Sequence, residues 1–314
     1  MNKIGFGCSK LTSNLTHRQA LKNLEVAYDN GVTHFDVARL YGYGLAENIL
    51  GKFAAGKRRD ITITTKAGIL PKGTMLQNLL LQNMLRHSFQ MVKTMVPKKD
   101  IAQMGAMQTM SRGFNIKDIR ASLETSLKEL KTDYIDYLML HEADINEANN
   151  ETLIGYLEEQ KTLGNIKEYG IASYSNKIEA EFDLLKKNYT VLQTDNSFPQ
   201  PVPAYILNAA QIKERFYFSP FVNLKKIEAL LKSDPVFTRK ISELMNFDVL
   251  KRPIDLLLIH QKAGIKSGTF LFASANNKNI AETITRWNYI KTLTERSEGF
   301  LAARKLIAEK FTTN

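Results

Sequence analysis

GVTHFDVARLYGYGLAENILG, residues 31–51, reads as the end of a helix, a short strand, a loop and a second helix. Asp36 and Tyr41 fall where the strand stops and the loop begins. Side chains alternate along an extended backbone, so His34 and Asp36 share one face of the strand while Phe35 and Val37 share the other. A polar phase beside an apolar one implies an interior that is not simply greasy. Two later strands repeat the arrangement. DITITTK (60–66) ends in Lys66 with Thr62 and Thr64 in its phase, and YIDYLMLH (134–141) ends in His141 with Leu138 and Leu140 in the opposite phase. Asp, Tyr, Lys and His thereby gather at equivalent strand ends.

Outward from this stretch, strand and helix alternate. Before it, Lys3 to Gly7 reads as a strand. Thr16 opens a helix, with Gln19 as the reciprocal partner of a capping box and Ala20, Leu24, Ala27 and Tyr28 on one face. Asn30 and Gly31 tolerate the left-handed conformation that ends it. After it come a helix over about 45–55 and the strand to Lys66. Asn115 then caps a helix carrying Ile119, Leu123, Leu127 and Leu130 on one stripe. The strand to His141, a helix near 151–163, the strand GNIKEYGIAS (164–173), a helix near 177–187 and the strand VLQTD (191–195) follow. ERFYFSP (214–220) reads as a seventh strand, 223–262 as helices, GTFLFAS (268–274) as an eighth strand, and 279–287 as a closing helix. Eight strands alternating with helices predict one α/β domain over 1–314, a (β/α)8 TIM barrel whose chemistry sits at the C-terminal strand ends.

Two segments break the rhythm. The first, 70–113, is a long insertion after the third strand. It holds seven of the ten methionines and six cationic residues against one acid, Asp100, which suits an adaptable, basic binding surface. Its place after Lys66 puts it on the catalytic face, as a substrate lid. The second, 290–314, is a helical tail expected to lie across the barrel.

The totals narrow the function class. Apolar residues at 44% and charged residues at 24% fit neither a disordered chain nor a membrane protein. No apolar run reaches the length of a span, and the N-terminus lacks a signal-peptide core, so a cytoplasmic protein with no membrane partner is expected. The lone Cys8 excludes an internal disulfide and reads as a small packed residue. The net charge of +11 fits an acidic substrate, a phosphorylated cofactor or a nucleic acid. With no zinc-finger spacing, RNP-type motif or recognition helix, nucleic acid is not expected as a partner, and no metal motif is seen.

Residues 31–51 together with TTKAG (64–68), SLKELKTDYIDYLMLHEAD (126–144) and GNIKEYGIASYS (164–175) resemble the aldo-keto reductase family. The resemblance covers most of the chain apart from the insertion and the tail. It implies an NAD(P)-dependent oxidoreductase that moves a hydride between a nicotinamide cofactor and a small aldehyde, ketone or sugar-like carbonyl, with an anionic substrate as another option. It puts a catalytic tetrad on Asp36, Tyr41, Lys66 and His141. The chemistry agrees: a phenol of pKa near 10 is a weak acid at neutral pH, an ammonium such as Lys66 favours its phenolate, Asp36 holds the lysine, and a neutral His141 orients the carbonyl oxygen.

For the cofactor, the resemblance implies contacts from Ser173, Gln193, Phe218 and Ser219, and from Ser274 and Glu282 after the eighth strand. Ala172 stands where a hydroxyl is common. Ala273, Asn279 and Thr283 stand where many members have Lys, Arg and Asn, so the grip on a 2′-phosphate is weaker than usual, with Lys278 as a substitute cation. NADP (NADPH) is the expected cofactor and NAD the alternative. The competing expectation is a nucleotide-binding regulatory or scaffold barrel with little turnover.

Overall fold

A computed structural model describes residues 2–13, 16–71, 110–265, 267–292 and 297–312. In chain order the strands are β1 (Asn2–Gly7), β2 (His34–Asp36), β3 (Thr62–Ala67), β4 (Ile69–Pro71), β5 (Met110–Arg112), β6 (Ile135–His141), β7 (Ile166–Ala172), β8 (Val191–Asp195), β9 (Glu214–Phe218) and β10 (Gly268–Phe272). Eight of them close a barrel in the order β1, β10, β9, β8, β7, β6, β3, β2, and every pairing along that order is parallel. The (β/α)8 architecture follows from the alternation in the sequence. β4 and β5 form a separate antiparallel pair, Ile69 opposite Arg112, which joins the two ends of the insertion. The lid expected over 70–113 otherwise falls on 72–109, outside the described residues.

The two phases of β2 have the predicted fates. Phe35 and Val37 join the large apolar core between the barrel wall and the helices, with Phe6, Leu24, Ile49 and Trp287. His34 turns inward, stacks on Phe216 with ring centroids 4.6 Å apart, and bonds Thr62 Oγ1 at 2.8 Å and Thr64 Oγ1 at 3.3 Å. Met139, Val191, Phe216 and Leu271 fill the barrel beside it. Hydroxyls in phase with the histidine satisfy both of its nitrogens, as a buried imidazole requires.

Thr16 caps the helix His17–Asp29 through Gln19 N, while a two-way capping box forms at Asp144 and Glu147. The helical region 223–262 divides into Leu224–Ser233, Pro235–Met245 and Pro253–Ala263, each break marked by a proline in the first turn of the next helix. The closing helix runs from Asn277 to Thr292, beyond the expected Trp287, because Ile290 continues the buried stripe of Ile280, Ile284 and Trp287. The tail helix Ser297–Thr312 packs on Pro235–Met245 and buries Phe300, Ala303 and Ile307 in a second core. Among the described residues no helix is long and apolar enough to cross a membrane.

Candidate active site

Asp36, Lys66 and His141 end or nearly end β2, β3 and β6, and alternation turns all three into the barrel. Lys66 Nζ donates to Asp36 Oδ1 at 2.6 Å, to Oδ2 at 2.7 Å and to Val37 O at 3.0 Å, and a side-chain hydrogen bond also links it to Tyr41. Gln193 Nε2 donates to Asp36 Oδ2 at 3.0 Å. Tyr41 sits on the loop after β2, its ring 5.2 Å from Lys66 Nζ and edge-on to His141 with centroids 6.4 Å apart. The loop turns sharply: Gly42, Tyr43 and Gly44 all have positive φ, and a Cβ on Gly42 would lie 2.3 Å from Thr12 Oγ1. That glycine is needed both for its backbone and for the close approach of Thr12.

These four residues line a cavity of about 380 Å³. Ser173, Gln193, Phe218 and Ser219 line it too. Ser274 and Glu282 do not; they stand beyond Ala273, the last lining residue of that segment. Ser274 Oγ instead accepts from Asn276 N at 3.1 Å in a turn leading into the helix Asn277–Thr292, and Glu282 is exposed on that helix. The sequence reasoning passed over Lys10, Glu142, Tyr174 and Val222, which also line the cavity. Lys10 and Glu142 follow the C-terminal ends of β1 and β6, and Tyr174 follows Ser173. The barrel rule that found Lys66 reaches all three when applied to every strand end.

A model of the Aldo/keto reductase family matches residues 3–198. The chain belongs to that family. The oxidoreductase YqkF of Bacillus subtilis is 29% identical over 182 residues, covering 58% of this chain and 48% of the relative. A D-threo-aldose 1-dehydrogenase of a Pseudomonas species is 28% identical over 231 residues, covering 67% of this chain and 63% of its own length. The matches thus span about half to under two thirds of those relatives. In fold, the chain resembles an aldo/keto reductase of Klebsiella pneumoniae solved in complex with NADP and acetate, with a TM-score of 0.63 at 15% identity, covering 96% of this chain and 90% of the other.

In this member of the family, burial dominates the electrostatics of the cluster. Burial, with Lys66 and Arg112 adding to it, lowers the His141 pKa to about 3, so the imidazole is neutral as expected. Its Nδ1 is buried without a partner among the described residues. Burial works against the Lys66 ammonium, but Asp36 and then Tyr41 outweigh it and raise its pKa. For Tyr41 the expected lowering does not prevail: burial pushes the hydroxyl above its ordinary value, against the pull of Lys66. Tyr41 is therefore protonated at neutral pH.

Proposed function

We propose that the chain is an NAD(P)-dependent carbonyl oxidoreductase in which Tyr41 is the general acid. The supporting observation is that buried Asp36 and Lys66 and half-buried Tyr41 and His141 line one cavity. The residues around it fit a nicotinamide nucleotide. Gln193 Oε1 is buried without a partner among the described residues and can accept from an amide, Ser173 lies on the same wall, and Phe218 offers a flat aromatic face. Such a nucleotide would supply the hydride.

The chain's own residues then handle the oxygen and its proton. Tyr41, protonated at neutral pH, gives its proton as charge develops on the carbonyl oxygen. Lys66 stabilises the phenolate left behind, and Asp36 keeps the ammonium in place with two charge-assisted hydrogen bonds. His141, neutral and lining the cavity, orients the carbonyl oxygen. Burial strengthens each of these interactions relative to water.

NADP(H) is the cofactor favoured here, in line with the Klebsiella relative solved with NADP, and NAD is the alternative because Ala273 and Asn279 bring no charge. Lys10 and Glu142 add charged groups to the cavity, which suits a sugar-like, hydroxyl-bearing carbonyl, the class named for the Pseudomonas relative. The test is a screen of carbonyls and alcohols, with sugars and phosphorylated sugars included, following cofactor absorbance with NADPH and NADH in parallel. Tight nucleotide binding with no turnover of any compound would instead favour a regulatory barrel.

A further inference from the structure

Glu47 occupies the first turn of the helix Leu45–Ala54 and is wholly buried. A carboxylate removed from water costs several kcal/mol unless it is paired. Here three elements supply donors. Glu47 Oε1 accepts from Thr65 Oγ1 at 2.6 Å and from Ser126 Oγ at 2.7 Å, and Oε2 accepts from Arg39 Nη1, itself buried.

Two of those donors are next to the proposed chemistry. Thr65 directly precedes Lys66 on β3, and alternation makes it point out of the barrel while Lys66 points in. Arg39 lies between Asp36 and Tyr41, and its backbone N–H approaches Lys66 O at 3.5 Å. The loop carrying the tyrosine and the strand carrying the lysine are therefore gripped from behind by one group. Ser126 fastens that group to the helix Ile116–Leu130. Well-packed apolar residues fill such a space at no electrostatic cost, so a buried carboxylate bridging these segments needs a reason.

We propose that Glu47 is a positioning residue: through Arg39 and Thr65 it fixes the separation of Tyr41 and Lys66. This rests on the proposed roles of those two residues in proton transfer. Electrostatic coupling between ammonium and phenol falls with distance, and the pull of Lys66 is what opposes burial at Tyr41. Loosening the grip therefore weakens proton transfer and moves the titration of Tyr41 upward, while the nucleotide-contacting wall at Ser173 and Gln193 is untouched.

The test compares Thr65→Val, which deletes one hydroxyl at constant shape, with Glu47→Gln. For Thr65→Val, kcat should fall about tenfold with an unchanged nucleotide Kd, since small misplacements of reacting groups cost up to about a hundredfold. The alkaline limb of the pH profile should move to higher pH, more so in Glu47→Gln. Variants that lose thermal stability yet keep the parental kcat and pH limb would overturn the proposal and leave Glu47 a purely structural anchor. If Glu47→Gln fails to fold, Thr65→Val decides alone. Tyrosinate absorbance, read as the difference between each protein and its Tyr41→Phe counterpart, reports the same coupling without turnover. If no carbonyl is turned over, an upward shift of that titration in Thr65→Val still supports the positioning role, and an unchanged one overturns it.

Discussion

β3 and β6 carry an ion cluster built on a buried carboxylate or ammonium at each end of the barrel, and the two clusters are built differently. At the N-terminal end, Asp136 Oδ2 accepts from Arg58 Nη2 at 2.7 Å and from Ile63 N at 2.9 Å, while Oδ1 accepts from Lys167 Nζ at 2.7 Å. Arg58 further bonds Thr132 Oγ1, Ile61 O and Tyr134 O and lies over the Tyr134 ring at 3.8 Å. That cluster is complete. At the C-terminal end, Asp36 and Lys66 are equally well paired, yet His141 Nδ1 and Gln193 Oε1 are buried without a partner among the described residues, and both residues line the cavity. Buried polar groups are normally satisfied, so the N-terminal cluster suits a stabilising role, and the C-terminal one fits the proposed binding of a ligand in the cavity.

The largest effect expected from this contrast is at Tyr41. Tyr41→Phe removes the proton donor and little else, so kcat should fall about 10²- to 10⁴-fold while the nucleotide Kd stays near that of the parent. Turnover at the parental level, with chemistry shown to be rate-limiting, would remove Tyr41 from the mechanism and blur the distinction between the two ends.

The opposite end should respond in the opposite currency. Asp136→Ala leaves the largely shielded Arg58 guanidinium and the Ile63 N–H without their carboxylate, while the exposed Lys167 returns to solvent, and breaking the Arg58 pair costs about 3 kcal/mol. Urea unfolding should show that loss, with kcat unchanged at temperatures where the variant is folded. A variant that keeps its stability but loses turnover would mean that the N-terminal cluster acts on the chemistry.

The same contrast explains what could be read from the sequence. Asp36, Lys66 and His141 were legible because strand alternation and the barrel rule together fix both the end and the direction of a side chain. Asp136 is two positions after Tyr134, whose ring carries Arg58 and Lys167, but those cations come from the distant segments after the helix Leu45–Ala54 and in β7, which no local pattern links. Glu47 was hidden for a related reason. Its spacing of three to Leu50 and seven to Ala54 sets it on a buried helical stripe, a signal that the acid needs internal partners, but not of which ones. Ser274 and Glu282 lie outside the cavity lining, on the turn and helix after β10, where they remain candidates for the outer part of a nucleotide. The upward displacement of Tyr41 was also out of reach, because it depends on how completely the closed barrel excludes water.

A smaller effect probes burial at both ends together. His34, beside the barrel's lower packing, and His141, in the cavity, are each lowered by burial to about 3 from an ordinary 6.5. Both are neutral when folded, whereas the unfolded chain takes up protons below pH 6.5. The stability they contribute is thus present above pH 6.5 and lost as pH falls from there towards 3. Each adds a slope of about 1.4 kcal/mol per pH unit in that window. Denaturant titrations on the parent and on His34→Gln should diverge by about 2 kcal/mol in all between pH 7 and 5. Parallel pH dependences would show that His34 is not held neutral by burial.

The smallest effect concerns the outer side of the cavity, where neither kind of cluster is present. Beyond Ala273 the chain enters the helix Asn277–Thr292, whose first turn offers Lys278 and Asn279, both exposed, and Asn279 N is already bonded to Asn276 Oδ1 at 3.2 Å. A helix N-terminus attracts phosphate on its own, but a guanidinium adds a planar, two-pronged donor that the amide of Asn279 does not. If the 2′-phosphate of NADPH is held at this turn, Asn279→Arg should tighten NADPH about tenfold and NADH by less than about twofold, because only the first carries the extra charge. Fluorescence titration of both nucleotides measures the ratio directly. A parent that already prefers NADPH by several orders of magnitude, or a ratio unmoved by the arginine, would place the phosphate elsewhere and separate this turn from the cofactor altogether.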